Sequence, residues 1–178
     1  LGGFFTEDIV VDNHAVNGRS SKSFIDEGRW DKVLSRIKPG DYVVIQFGHN
    51  DEKIQEKLHT IPGTTFDDNL ERFVCEARER GAHPILMNAI VRRNFIAPQE
   101  QPGAVTARDG QVEGDTLYDT HGSYLDSPRN VAKRLDVPFV DVDCCDKEAF
   151  AEVFRRYDFD SVIHFAAFKA VGESVADP

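Results

Sequence analysis

Asp41-Tyr42-Val43-Val44-Ile45-Gln46-Phe47-Gly48-His49-Asn50-Asp51 is the stretch that decides the fold of this chain of 178 residues. Its first seven residues are rich in β-branched and aromatic side chains, which is typical of a strand covered on both faces of a sheet. The glycine that follows ends this strand in a turn. Four further runs have the same character, at Ile9–Asp12, Pro84–Ile90, Pro138–Val142 and Ser161–Phe165.

Helical patterns separate these predicted strands. Apolar side chains recur there at three- and four-residue spacing, over Ser23–Ile37, Thr65–Arg80, Pro128–Leu135 and a fourth helix capped by Asp146. Ser127 is expected to cap the third helix, with Pro128 at its first position. The alternation predicts an α/β fold, a three-layer sandwich around a mostly parallel sheet. The polar segment Val91–Ser123 is expected to be a long loop, either a functional lid or a disordered insert.

Composition argues against several classes of function. The chain is 40% hydrophobic and 29% charged, which is ordinary for a globular domain. A net charge of −10 and a pI near 5.0 argue against a nucleic-acid partner, because no basic patch offsets the acidic residues. No apolar stretch approaches the roughly 20 residues that span a bilayer, so no membrane partner is expected.

The cysteines and the N-terminus bear on the compartment. Cys75, Cys144 and Cys145 have no metal-binding spacing, so we expect reduced thiols and no metal site. The chain starts at Leu1 and shows no secretory leader. These features favour the cytoplasm, and residues upstream of Leu1 are expected to be missing from this sequence.

Two hydrogen-bond donors are expected at one edge of the sheet. Gly18 and Asn50 each lie in a turn after a predicted strand, and ligand sites of open parallel sheets lie beyond the carboxyl ends of the strands. The Gly18 backbone N–H and the Asn50 side-chain amide can both donate to one oxyanion. Such a pair favours acyl transfer, in which each donor contributes about 3 to 4 kcal/mol in the transition state.

Residues 1–142 resemble the SGNH (GDSL-type) hydrolases, and among them the rhamnogalacturonan acetylesterase group. The resemblance rests on Ala15-Val16-Asn17-Gly18-Arg19-Ser20 and on Phe47-Gly48-His49-Asn50-Asp51. It implies a flavodoxin-like sheet, an oxyanion hole formed by Gly18 and Asn50, no cofactor, and a pectic or rhamnogalacturonan-type carbohydrate ester as substrate. The Val91–Ser123 segment would face the sugar.

Two further elements of that family are not present in the 178 residues. The sequence contains neither Gly-Asp-Ser, the nucleophile motif, nor Asp-x-x-His. Asp119-Thr120-His121 has a different spacing, so we interpret His121 as a loop residue. The nucleophile strand is expected upstream of Leu1. The resemblance therefore predicts a truncated, incomplete esterase domain with negligible turnover.

Residues 143–178 resemble a different family, the UDP-glucose 4-epimerases of the extended short-chain dehydrogenases. The resemblance rests on the run from Val162 to Ser174, Val-Ile-His-Phe-Ala-Ala-Phe-Lys-Ala-Val-Gly-Glu-Ser. It implies a Rossmann-type helix-strand fragment that binds NAD. The implied NAD-binding residues are Asp143 and Cys144 near the adenine, with Phe165, Ala166, Ala167, Phe168 and Lys169 along the dinucleotide.

This second resemblance is also partial. The chain contains neither a Gly-x-x-Gly-x-x-Gly turn nor a Tyr-x-x-x-Lys pair. The sequence therefore predicts a chimeric chain, an incomplete carbohydrate esterase joined to an epimerase fragment. Its alternatives are an NAD-dependent UDP-glucose 4-epimerase of galactose metabolism, acting on a nucleotide sugar, and a non-catalytic carbohydrate-binding remnant.

The position of the last strand has two solutions. Ser161–Phe165 either extends the sheet beside Pro138–Val142, or fills the slot between Ile9–Asp12 and Asp41–Phe47 that the family's nucleophile strand occupies. Addition at the edge needs no long connection and is the arrangement we expect.

Overall fold

A parallel sheet of five strands forms the centre of the computed structural model, which describes residues 10–90, 92, 94–97, 116–141, 152 and 161–163. Its strands are β1 (Val10–Val11), β2 (Tyr42–Gln46), β3 (His83–Met87), β6 (Phe139–Val140) and β7 (Ser161–Ile163). Two further strands, β4 (Phe95–Ile96) and β5 (Thr116–Leu117), form a separate pair. The helices are α1 (Ser21–Asp26), α2 (Arg29–Leu34), α3 (Thr65–Glu79) and α4 (Asp126–Leu135). The predicted α/β class with a parallel sheet is confirmed.

The strand order is β1-β7-β2-β3-β6, so β7 fills the slot between β1 and β2. Val162 pairs in parallel with Val11 on one side and with Tyr42 on the other. The expected addition beside Pro138–Val142 is therefore wrong. The physical reason is that an open slot would leave the backbone N–H and C=O groups of two strands without partners, and β7 supplies partners to both.

The helix predicted over Ser23–Ile37 is two short helices. α1 ends before Gly28, which has a φ of 65°, and α2 begins directly after it. A left-handed residue cannot continue an α-helix, so the chain changes direction at Gly28. The start of α1 also differs from the prediction, because Ser20 and Ser23 form a capping box there.

In the neighbouring strands β2 and β3, side chains on both faces of the sheet are buried, as a three-layer arrangement requires. On one face, Phe73 of α3 packs against Trp30 of α2 and Phe47 after β2, with ring centroids 4.8 and 5.1 Å apart. On the opposite face, Val44 and Met87 are also buried. α3 confirms the predicted helix within one residue and buries the apolar stripe that the sequence indicated, Leu70, Phe73, Val74 and Ala77.

The segment predicted as a long loop, 91–123, contains regular structure in its described parts. β4 and β5 pair antiparallel, and a 3₁₀ turn at Gly122–Tyr124 leads directly into α4. Ser127 is consequently not the N-cap of α4, which begins at Asp126. Ser127 is buried inside the first turn, where its Oγ accepts from Gly63 N at 3.4 Å. The helix predicted after Asp146 lies outside the described residues except for Glu152, which is helical.

Candidate active site

A buried carboxylate, Asp51, joins the two loops that carry the predicted oxyanion donors. It accepts hydrogen bonds from Ser21 N (3.0 Å), Ser21 Oγ (2.5 Å), Gly48 N (3.1 Å) and Thr60 Oγ1 (3.0 Å). Since Ser21 is the first residue of α1, these bonds hold the start of that helix against the turn after β2. Burial raises the pKa of Asp51 above its ordinary range, although the four donors oppose the rise.

The structure brings the predicted pair, Gly18 and Asn50, into neighbouring positions. Asn50 Nδ2 donates to Arg19 O at 3.1 Å, one residue from Gly18. Gly18 has a φ of 76°, and among the described residues outside its own neighbours no atom lies within 4 Å of the point where a Cβ would stand. The described residues therefore leave the Gly18 backbone open to a ligand. The role of these two residues as oxyanion donors stays a prediction.

His121, interpreted from the sequence as a loop residue, is buried in a hydrogen-bonded chain. Its side chain is 0% exposed, its Nδ1 lies 2.5 Å from Asp119 Oδ1, and its Nε2 lies 3.2 Å from His49 Nδ1. Burial alone would raise the pKa of Asp119, but hydrogen bonds from the His121 ring and backbone hold that pKa below its ordinary value. The interpretation as a plain loop residue missed this arrangement. The signal in the sequence was that Asp119 and His121 are two residues apart, which lets the Asp119 carboxylate reach the His121 imidazole.

Two further residues, Arg92 after β3 and Thr120 before the 3₁₀ turn, are bonded to the turn that follows β2. Arg92 forms an ion pair with Glu52, and its Nη2 donates to His49 O at 2.7 Å. Thr120 Oγ1 lies 3.2 Å from the same Glu52 carboxylate. The Arg92 and Glu52 side chains are only 12% and 15% exposed, so water screens this pair weakly.

Tyr124 completes the attachment of the 3₁₀ turn. Its hydroxyl donates to Asp51 O at 3.1 Å and also contacts Thr60 O. Burial, and then the negative charge of Asp51, raises the pKa of the Tyr124 phenol. The turn that carries Asn50 is therefore bonded to the start of α1 through Asp51 and to the segment 119–124 through Tyr124 and Thr120.

The predicted NAD-binding residues lie outside the described residues. They are Asp143, Cys144, Phe165, Ala166, Ala167, Phe168 and Lys169. Of the epimerase-like run, the structure describes only Val162 and Ile163, as part of β7.

Within the described ranges, no group of three or more His, Cys, Asp or Glu side chains is arranged to hold a metal ion. In the same part of the chain, no helix has the length and apolar character needed to cross a bilayer.

Known proteins resemble this chain in two separate ways. Rhamnogalacturonan acetylesterase RhgT of Bacillus subtilis is 39% identical over 142 residues, which is 80% of this chain and 53% of RhgT. The probable rhamnogalacturonan acetylesterase YesY of the same species is 42% identical over 96 residues, 53% of this chain and 44% of YesY. The chain thus spans about half the length of these relatives. UDP-glucose 4-epimerase of Caenorhabditis elegans is 52% identical over 72 residues, 39% of this chain and 20% of the epimerase.

The fold has a relative among solved structures. The crystal structure of Bacillus subtilis protein YxiM superposes with a TM-score of 0.54 at 21% identity, over 81% of this chain and 36% of YxiM. The sequence profile of the GDSL-like Lipase/Acylhydrolase family matches residues 4–167, which is most of the chain. Both resemblances that the sequence indicated are therefore found, and the chain belongs to the GDSL-like lipase/acylhydrolase family.

Proposed function

We propose that this chain carries the oxyanion-binding part of a carbohydrate acetylesterase, and that residues 1–178 alone have negligible turnover. The observation that carries the proposal is the hydrogen bond from Asn50 Nδ2 to Arg19 O, which fixes the Asn50 amide beside Gly18. An amide nitrogen has two hydrogens, and the described residues provide an acceptor for one of them. The second hydrogen is available to a bound ester oxygen.

The rigid surroundings of this turn support the proposal. Donors stabilise a developing oxyanion strongly only when they are held in place before the reaction starts. Asp51 holds the turn through four hydrogen bonds, and Arg92 and Tyr124 hold its backbone from the other side. Gly18 adds an open backbone position next to the amide.

The proposed lack of turnover follows from the motifs of the 178 residues. Neither Gly-Asp-Ser nor Asp-x-x-His occurs among them, so no residue here matches the nucleophile or the general base of the family. A site without its nucleophile and base retains only the small residual catalysis that the oxyanion hole and substrate binding supply.

The substrate class comes from the relatives. RhgT is a rhamnogalacturonan acetylesterase by name, so the proposed ligand is an acetyl ester on a pectic oligosaccharide. No cofactor is needed for this part of the chain.

Binding is the measurement that tests this proposal. Isothermal titration of the full chain with an acetylated rhamnogalacturonan oligosaccharide should show binding that Asn50→Ala weakens about fivefold, since one hydrogen bond contributes roughly 1 kcal/mol. Asn130→Ala, at an exposed position on α4, is the matched control and should bind as the native chain does. The deacetylated oligosaccharide should bind equally to all three proteins.

Two results would contradict the proposal. Equal affinity of the native chain and Asn50→Ala for the acetylated ligand would remove Asn50 from the site. Rapid release of acetate from the oligosaccharide by the purified chain would show that a complete active site is present after all.

A second candidate is NAD binding by the epimerase-like segment, favoured by the 52% identity with the Caenorhabditis elegans epimerase. Fluorescence titration with NAD, repeated on Lys169→Ala, measures it. Micromolar affinity that falls in the variant would support the epimerase alternative, and an absence of binding in both proteins would leave the segment with a role in completing the sheet. Oligosaccharide affinity without any hydrolysis would fit the carbohydrate-binding remnant.

A further inference from the structure

Asp119, His121 and His49 form a continuous hydrogen-bonded chain that ends one residue before Asn50. The Asp119 carboxylate lies 2.5 Å from His121 Nδ1 and also accepts from His121 N at 3.1 Å. His121 Nε2 lies 3.2 Å from His49 Nδ1, with the two ring centroids 5.3 Å apart. The proposed oxyanion roles of Gly18 and Asn50 do not explain why two imidazoles are placed in contact at this point.

The geometry dictates where the protons of the two rings are. The Asp119 carboxylate accepts, so His121 carries a hydrogen on Nδ1. When the pair is neutral, His121 Nε2 has a lone pair and His49 Nδ1 must donate to it.

We propose that Asp119 and His121 are positioning residues for the turn that carries Asn50, and that they act through the imidazole of His49. This inference rests on the proposed oxyanion role of Asn50. The His49 backbone is part of that turn and is itself held by Arg92 at its carbonyl oxygen. Contacts to the His49 ring on one side and to its carbonyl on the other restrain the backbone that leads into Asn50.

Charged residues of several elements are neighbours of His49 and His121 in sequence or contact the segments that carry them. Asp119 lies on the same segment as His121, while Asp51 and Glu52 belong to the turn after β2. Arg92, after β3, pairs with Glu52, and Tyr124 follows His121 in the 3₁₀ turn. The Asp119 carboxylate is the charge in direct contact with His121. Replacing Asp119 therefore tests the hydrogen-bonded chain while the other charged residues stay in place.

Nitrogen-15 NMR of the full chain tests the proposal without any ligand. For the neutral rings we expect the hydrogen on Nδ1 in both His121 and His49, as the acceptors along the chain require. Asp119→Leu removes the acceptor with a side chain of similar size and should abolish the fixed tautomer of His121.

The Asn50 side-chain amide reports the positioning itself. Its hydrogen exchange should be about tenfold faster in Asp119→Leu and in His121→Phe. His121→Gln, which can still accept from His49, should keep the native rate within twofold. Asn130→Ala again serves as the control. Should His121→Phe fail to fold, Asp119→Leu decides, because the Asp119 side chain is 29% exposed and lies outside the core.

Unchanged Asn50 exchange in Asp119→Leu, or a native His121 that carries its hydrogen on Nε2, would overturn the proposal. These signals are independent of sugar binding. If the oligosaccharide fails to bind the native chain while the NMR results are as expected, the proposed function fails and the positioning network stands.

Discussion

Asp51→Ala should destabilise the chain by about 3 kcal/mol. The substitution leaves two buried backbone N–H groups, those of Ser21 and Gly48, without their acceptor. Each such group costs about 1 to 3 kcal/mol. The hydroxyls of Ser21 and Thr60 can rotate toward other acceptors, so they add little. Removing a carboxylate that is costly to bury offsets part of the loss.

The pH dependence of the free energy of unfolding is a second, independent test of the role of Asp51. Because the pKa of Asp51 is raised in the folded state from its ordinary 3.8, the folded chain binds this proton more tightly than the unfolded chain does. The contribution of Asp51 to the free energy of unfolding therefore falls as the pH rises from about 3.8 through the raised pKa. Asp51→Asn cannot titrate there, so the difference in stability between native chain and variant should change over that range.

Guanidinium denaturation followed by the fluorescence of the buried Trp30 measures both effects. In thermal denaturation, a loss of about 3 kcal/mol should lower the melting temperature by roughly 6 to 12 °C for a domain of this size. Thr60→Val is the matched control, because it removes one donor and keeps the carboxylate, and it should cost about 1 kcal/mol. A loss below 1 kcal/mol for Asp51→Ala, or an Asn variant with the native pH profile, would refute this account of the junction.

Three further predictions concern the scaffold. Gly81→Ala should lower the free energy of unfolding by about 2 kcal/mol or more in thermal denaturation, because the new Cβ would lie 3.1 Å from Pro39 at a residue with a φ of 76°. Gly63→Ala is the control, since Gly63 has a similar φ but open space around it, and it should cost about 1 kcal/mol. Equal losses in the two variants would exclude the clash with Pro39. Val162→Pro should reduce stability by about 3 kcal/mol or more, since β7 pairs on both sides, and a native melting temperature would argue against the central position of β7. Arg92→Met should cost roughly 2 to 4 kcal/mol by leaving a weakly exposed carboxylate unpaired, and a restored stability in the double variant with Glu52→Gln would confirm that cause.

Motifs and spacing in the sequence predicted part of the candidate site. Gly18 and Asn50 were predicted together because both follow strands of one parallel sheet, and the contact of Asn50 with Arg19 O agrees with that placement. Asp51 was part of the same motif, but its role as the junction between α1 and β2 depends on contacts across 30 residues of chain. No local pattern contains that information. The same is true of His49 and His121, which are 72 residues apart in sequence.

By itself, the sequence determined the α/β class, the approximate positions of the strands and the amphipathic helix α3, because strand and helix periodicity are properties of neighbouring residues. Tertiary structure decided the place of β7 between β1 and β2, the start of α4 and the burial of His121. Each of these depends on satisfying backbone and side-chain hydrogen-bonding groups that lie far apart along the chain, and only the folded arrangement brings donor and acceptor together.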